Sequence, residues 1–255
     1  MKNFVISLKS ADARRAHIAQ EFGKQGIVFE FFDAVTPAHI YELSEKFSID
    51  LSKNQRLSDG EKACFMSHLY VWQKCLDEDL DYIAVFEDDI RLGKNADLFL
   101  CNNWLKAINF FDIIKLETFF EKVHIKYNST HYNRKIEHLY SPHMGAGAYI
   151  ITRSAIKKII NQIQKTPAHN LMAIDHILFE IGINHLIIYQ LNPAICQQQM
   201  FINHNLLPSQ LEQFRQNNIK NSHFDDNIAH KLSRLKWRLK RSIGKRTFYK
   251  IVEFN

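Results

Sequence analysis

The run DYIAVFEDDI at residues 81–90 is apolar until it ends in Glu87, Asp88 and Asp89. Its length and its β-branched and aromatic content are those of a buried strand. Three adjacent carboxylates at a strand end repel one another and resist leaving water. A hard divalent cation relieves that repulsion and keeps positions open for phosphate oxygens. Strand alternation predicts Glu87 and Asp89 on one side and Asp88 on the other. Taken alone, the triplet also fits a strand that simply ends in a solvated loop.

Two further polar clusters close predicted strands. Ser7 and Leu8 end the first and lead into Arg14 and Arg15, which suit a diphosphate or nucleotide; Asp33 ends the second. In open α/β sheets, ligands collect at the carboxyl ends of strands, so these clusters and the acidic triplet belong together. No GxxxxGK[ST] motif is present, which argues against a P-loop NTPase, and no GxGxxG suggests a dinucleotide site. The 13 histidines are scattered without HExxH, and Cys64, Cys75, Cys101 and Cys196 show neither CxxC pairing nor zinc spacing. No disulfide framework is expected.

The elements that must position these groups alternate. Strands are predicted at 3–8, 28–35, 82–86, 111–116 and 185–191. Helices are predicted up to about Gly23, from a Ser58/Glu61 capping box to about Leu76, from a Thr152 cap to the stop at Pro167, and over about 171–181. Such alternation makes an α/β domain with a largely parallel sheet flanked by helices.

The chain has 255 residues, 46% of them hydrophobic, with 19 Phe and only 24% charged, which excludes a disordered chain. Its net charge of +6 is localised. Nine Lys and Arg and no acidic residue fall within 227–252, leaving 24 basic against 27 acidic residues elsewhere. The division expected is a catalytic domain at 1–226 and a basic tail at 227–255. On a helical wheel Ile228, Leu232, Leu235, Leu239 and Ile243 share one side and Arg234, Arg238, Arg241 and Lys245 the other. This amphipathic C-terminal helix suits an anionic membrane surface or docking of its Leu stripe on the core. Nucleic acid is disfavoured by the acidic body. No stretch is long and apolar enough to span a membrane, and the N-terminus lacks a cleavage site, so a cytosolic or peripheral protein is expected.

Several segments, in order, resemble glycosyltransferase family 25, the lipopolysaccharide and lipooligosaccharide biosynthesis glycosyltransferases. They are VISLKSADARRAHI (5–18), FFDAVTP (31–37), DGEKACFMSHLYVWQKC (59–75), YIAVFEDDI (82–90), GAGAYIITRSAIKKI (145–159), AIDHILF (173–179) and LNPAICQQ (191–198). The resemblance implies a GT-A type fold, a UDP-hexose donor (galactose or glucose), Mn²⁺ or Mg²⁺, and transfer with inversion to a Gram-negative lipooligosaccharide core. It implies that Glu87 or Asp88 faces the ribose or metal and Asp89 the metal. Ser7, Leu8 and Arg14 would hold the nucleotide, with Asp33 near its base or ribose. Inversion needs a base for the acceptor hydroxyl; Asp175 is the first candidate and His176 the second. Gly145 and Gly147 either allow close backbone approach to donor or acceptor or mark a bulge. Ser67, His68 and Trp72 either pack or touch substrate, and Gln197, Gln198, Gln199 and His204 suit a closing loop or a late metal ligand. The enzyme would then sit on the cytoplasmic face of the inner membrane, held by its tail. The competing expectation is a metal-dependent phosphoesterase or nuclease using the same carboxylates, its tail binding polyanions.

Overall fold

Residues 1–199 and 248–255 are described by the computed structural model. In chain order the strands are β1 (Lys2–Ser7), β2 (Glu30–Asp33), β3 (Tyr82–Glu87), β4 (Ile90–Leu92), β5 (Ile113–Lys115), β6 (Lys122–Val123), β7 (Ile125–His131), β8 (Arg134–Leu139), β9 (Ala148–Thr152), β10 (Ile188–Asn192), β11 (Cys196–Gln198) and β12 (Lys250–Ile251). The α-helices are α1 (Asp12–Gly23), α2 (Ile40–Glu45), α3 (Asp59–Asp77), α4 (Arg153–Lys165) and the single turn α5 (Ile174–His176).

Strands β1 and β3 bury both of their faces. Phe4 and Ile6 with Ile83 and Val85 join one apolar cluster, while Val5 with Ala84 and Phe86 joins the other. A strand of this kind needs cover on both sides. Helix α1 supplies one cover through Ile18 and Phe22; α3 and α4 supply the other through Phe65, Leu69, Trp72, Ile156 and Ile159. Helix α3 starts at the predicted capping box: Glu61 N–H donates to Ser58 Oγ at 3.3 Å, and Ser58 N–H donates to Glu61 Oε2 at 3.0 Å. Helix α4 starts at Thr152, whose Oγ1 accepts from Ala155 N at 3.1 Å.

The main sheet has the order β2-β1-β3-β9-β5-β10-β8-β7. Strands β2, β1, β3, β5, β10 and β7 run one way, and β9 and β8 run against them. This is the mostly parallel α/β sheet flanked by helices that a GT-A type fold requires. The antiparallel β9 sits between β3 and β5, so Gly147 immediately precedes a strand flanked by both.

Three local expectations change. The β7–β8 hairpin is absent from the apolar pattern because it lies at the sheet edge and exposes much of β7; it turns at Tyr132 and Asn133, both with positive φ. The helix predicted over 171–181 is one α-turn followed by a π-helical turn, Ile177–Ile181. Ile177, Leu178 and Phe179 are all buried in succession, which a regular one-faced helix does not provide.

The third change concerns the C-terminus. The amphipathic helix predicted from residue 228 falls outside the described residues up to 247. The last residues, however, join the body. β12 pairs with β6, Val252 is fully buried, and Thr118 Oγ1 donates to the Val252 carbonyl at 2.7 Å. Ala194 N donates to the Glu253 carbonyl at 2.6 Å, and Arg134 Nη2 to the Asn255 carbonyl at 2.6 Å. Val252→Ala should therefore cost roughly 2 kcal/mol in urea unfolding. Deleting residues 250–255 should cost more, and an unchanged unfolding midpoint in both would show that this return is not part of the folded body.

Candidate active site

Register across the sheet sets the site. Ser7 is paired with Asp33, Ile6 with Glu87, Phe86 with Ala148, and Lys115 with Tyr149. One row thus runs along the carboxyl edge from Asp33 through Ser7 and Glu87 to Gly147 and Glu117. Glu87 N donates to the Gly147 carbonyl at 2.9 Å, and Gly147 N donates to Glu117 Oε1 at 2.8 Å.

The acidic triplet does not alternate as a strand. β3 ends at Glu87, and Asp88 and Asp89 form a turn before β4. Arg14 therefore reaches both, at 2.6 Å from Asp88 Oδ1 and 3.8 Å from Asp89 Oδ2. Asp88 also accepts from Ser7 Oγ at 2.7 Å. Both aspartates are buried. The Leu8 carbonyl accepts from Arg15 Nε at 3.1 Å and from Ala11 N at 3.0 Å, which fixes the turn into α1. Arg15 pairs with Asp33, whose side chain stays largely exposed at the outer end of the row. Ser7, Leu8, Arg14, Glu87, Asp88 and Asp89 thus converge, with Asp33 at the rim.

Asp175 joins the cluster from α5. Its Oδ1 accepts from His176 N at 2.9 Å and its Oδ2 from Gly145 N at 3.4 Å. Its charge acts on Glu87, Lys115 and His68. The His176 ring turns instead to Glu180. Gln199 N donates to the Asp89 carbonyl at 2.8 Å, while Gln198 pairs with Ile90 in the β4–β11 ribbon. Ser67 is a packing group: its Oγ accepts from Val35 N and donates to the Ala63 carbonyl. His204 lies outside the described residues.

Lys115 and Glu117 are the residues that sequence reasoning misses. Both side chains are fully buried and 3.0 Å apart. Lys115 also donates to the Gly145 carbonyl and lies 4.0 Å from the centre of the Phe179 ring. A Cβ on Gly147 would stand 2.7 Å from Glu117 Oε2, and Gly145, at φ +90°, would collide with Phe119. Both glycines are needed for this close packing. The only sequence signal was a Lys and a Glu two residues apart at the end of an apolar run.

Charge at the site is unbalanced. Glu87, Asp88, Asp89, Glu117 and Asp175 face Arg14 and Lys115. Burial raises the Glu87 pKa, with Asp88 and Asp175 adding to it; burial and then Glu87 raise that of Asp89. Burial likewise raises the Glu117 pKa against the pull of Lys115. Asp89 Oδ1 and Glu117 Oε2 are buried with no hydrogen-bond partner among the described residues. Hard oxygen donors, excess negative charge and unsatisfied carboxylate oxygens fit Mn²⁺ or Mg²⁺.

The family model described as glycosyltransferase family 25 (LPS biosynthesis protein) matches residues 1–178. The chain is 45% identical over 223 residues to the lipooligosaccharide biosynthesis protein lic2B of Haemophilus influenzae, covering 84% of this chain and 83% of that one. It is 41% identical over 232 residues to the lacto-N-neotetraose biosynthesis glycosyltransferase LgtE of Neisseria meningitidis serogroup B, covering 85% and 82%. Among solved structures, a glycosyltransferase involved in glycosylation of the major capsid of PBCV-1 aligns with a TM-score of 0.45 at 6% identity, covering 77% and 92%.

The loop that carries the two glycines is held by His143. Its Nε2 accepts from Phe119 N at 3.4 Å, so Nδ1 carries the proton and donates to Gln190 Oε1 at 2.8 Å. Burial lowers the His143 pKa from 6.5 to about 3, so the ring is neutral in the folded state. A depressed folded pKa means the unfolded chain takes the proton first as pH falls. Stability is complete above pH 6.5 and should fall by roughly 3 kcal/mol by pH 4 from this group. Thermal melts from pH 7.5 to 4 should show a shallower acid decline for His143→Gln than for the wild type. Parallel declines would remove His143 as the cause.

Proposed function

The chain belongs to glycosyltransferase family 25, and from that premise we propose that it moves a hexose, galactose or glucose, from a UDP-sugar to a lipooligosaccharide core acceptor. The observation that carries this reading is the row of carboxylates at the sheet's carboxyl edge, with Asp89 Oδ1 and Glu117 Oε2 buried and unsatisfied. Relatives named for lipooligosaccharide and lacto-N-neotetraose biosynthesis support the acceptor class.

Glu87 and Asp89 are the residues to hold a divalent cation, which when bound offsets charge growing on the departing diphosphate. Ser7 and Arg14 hold Asp88 in place and leave the Leu8 turn to receive the nucleotide, with Asp33 at the rim for its base or ribose. Transfer with inversion is a single in-line displacement. The acceptor oxygen bonds to the anomeric carbon, the carbon–oxygen bond to phosphate breaks, and UDP leaves with the electron pair. Asp175 takes the acceptor's proton: its Oδ1 is oriented by His176 N–H, and among the described residues its Oδ2 has only the long 3.4 Å contact from Gly145.

No helix among the described residues is long and apolar enough to cross a membrane. We assign the basic segment from residue 231 to residue 246 to peripheral contact with the anionic cytoplasmic leaflet, where a lipid-linked acceptor is presented.

Incubation with a panel of UDP-sugars, with Mn²⁺ and with EDTA, tests the activity. UDP should be released only with a UDP-hexose and the cation, and a phosphodiester substrate should survive. Phosphodiester cleavage without a nucleotide-sugar would establish the phosphoesterase or nuclease instead. Asp175→Asn should lower transfer by roughly 10²–10⁴ with little change in the KM for donor; wild-type turnover would remove it as the base. Replacing Lys231, Arg234, Arg238, Arg241 and Lys245 by Gln should weaken binding to anionic vesicles while donor hydrolysis persists. Equal vesicle binding would refute the membrane role.

A further inference from the structure

Cys64 and His68 stand four residues apart on α3, so their side chains lie on one face of the helix. That face meets the end of β3. Cys64 Sγ is 3.8 Å from Glu87 Oε1, and His68 Nε2 is 3.7 Å from the same oxygen. All three ligand atoms lie within 4.8 Å of one another. A tetrahedral metal with bonds of about 2.0–2.3 Å sets its ligands roughly 3.3–3.8 Å apart. The two spacings to Glu87 match those of a filled site, and the third is at most 4.8 Å.

The imidazole gives a second, independent indication. His68 is fully buried, and its Nε2 has no hydrogen-bond partner among the described residues although it points at Glu87. The ring is held from behind. Its Nδ1 lies 2.6 Å from the Tyr149 hydroxyl oxygen, which accepts from Trp72 Nε1 at 2.9 Å. A ligating histidine is usually oriented by a hydrogen bond at its other nitrogen. In the tautomer that ligates, Nδ1–H donates to Tyr149 and Nε2 offers its lone pair toward Glu87. Glu87 keeps 24% side-chain exposure, so a fourth position opens to the cleft.

We infer that Cys64, His68 and Glu87 form a second cation site, selective for a borderline-soft divalent ion of the zinc class. Thiolate, imidazole and carboxylate together favour zinc over magnesium or manganese, whereas the oxygen-only groups around Asp89 favour the harder ions. Occupancy inhibits transfer because Glu87 cannot serve both sites. The inhibition rests on the role proposed above for Glu87; the binding does not.

Co²⁺ added alone to the full-length protein is the probe. One equivalent should produce near-ultraviolet thiolate-to-cobalt absorption, which Zn²⁺ abolishes by displacement. Cys64→Ser should lose the band, and both Cys64→Ser and His68→Gln should weaken Zn²⁺ binding on the order of 100-fold in chelator competition. Circular dichroism establishes that each variant is folded. Zn²⁺ should inhibit Mn²⁺-supported donor turnover, and Cys64→Ser should resist inhibition by the same factor while retaining its zinc-free turnover. Absence of the band, or unchanged binding in Cys64→Ser, overturns the site. Zinc binding at the three residues without inhibition overturns the shared role of Glu87 and leaves the site standing.

Discussion

The buried pair of Lys115 and Glu117 is the constraint on which the site depends. Two charges with no exposed surface offset part of their desolvation cost by pairing, and a pair of this kind adds little net stability. Its effect here is positional. Lys115 ties down the Gly145 carbonyl and packs against Phe179, while Glu117 takes the Gly147 amide. Gly147 in turn accepts the amide of Glu87. The pair therefore fixes the entry of β9 between β3 and β5, and through it the last residue of the acidic strand. Removing either partner strands a charge in the core, the costly way to break such a pair.

From that anchor the electrostatics follow. Five carboxyl groups converge where the fold places two cations, and burial raises the pKa of Glu87, Asp89 and Glu117. Arg14 resolves part of the strain by bridging Asp88 and Asp89, which a turn rather than a strand makes possible. The unsatisfied oxygens of Asp89 and Glu117 are the remainder. A cleft built this way suits a positively charged occupant, which in the function proposed above is the cation that meets the diphosphate.

Much of this was legible in the sequence because it rested on local patterns. The apolar runs ending in Ser7, Asp33 and Glu87 became adjacent strands, and the Ser58/Glu61 and Thr152 caps start their helices as read. What stayed hidden depended on who sits beside whom. Lys115 is an ordinary strand-end residue until β9 crosses next to it. Cys64 and His68 have no metal spacing by themselves, and only the sheet brings Glu87 to them. The β7–β8 hairpin carries its polar residues on an edge, and the return of Val252 to the core is a single buried side chain in a basic stretch. Asp175 was placed by order along the chain; its contact with Gly145 came from the fold.

The most direct test of the account is calorimetric titration of UDP into the wild-type protein and Asp89→Asn, each with and without Mn²⁺. If Asp89 holds the cation, Mn²⁺ should tighten UDP binding to the wild type by roughly tenfold or more, and Asp89→Asn, folded as before, should lose this gain. UDP binding that is indifferent to both the cation and Asp89 would contradict it.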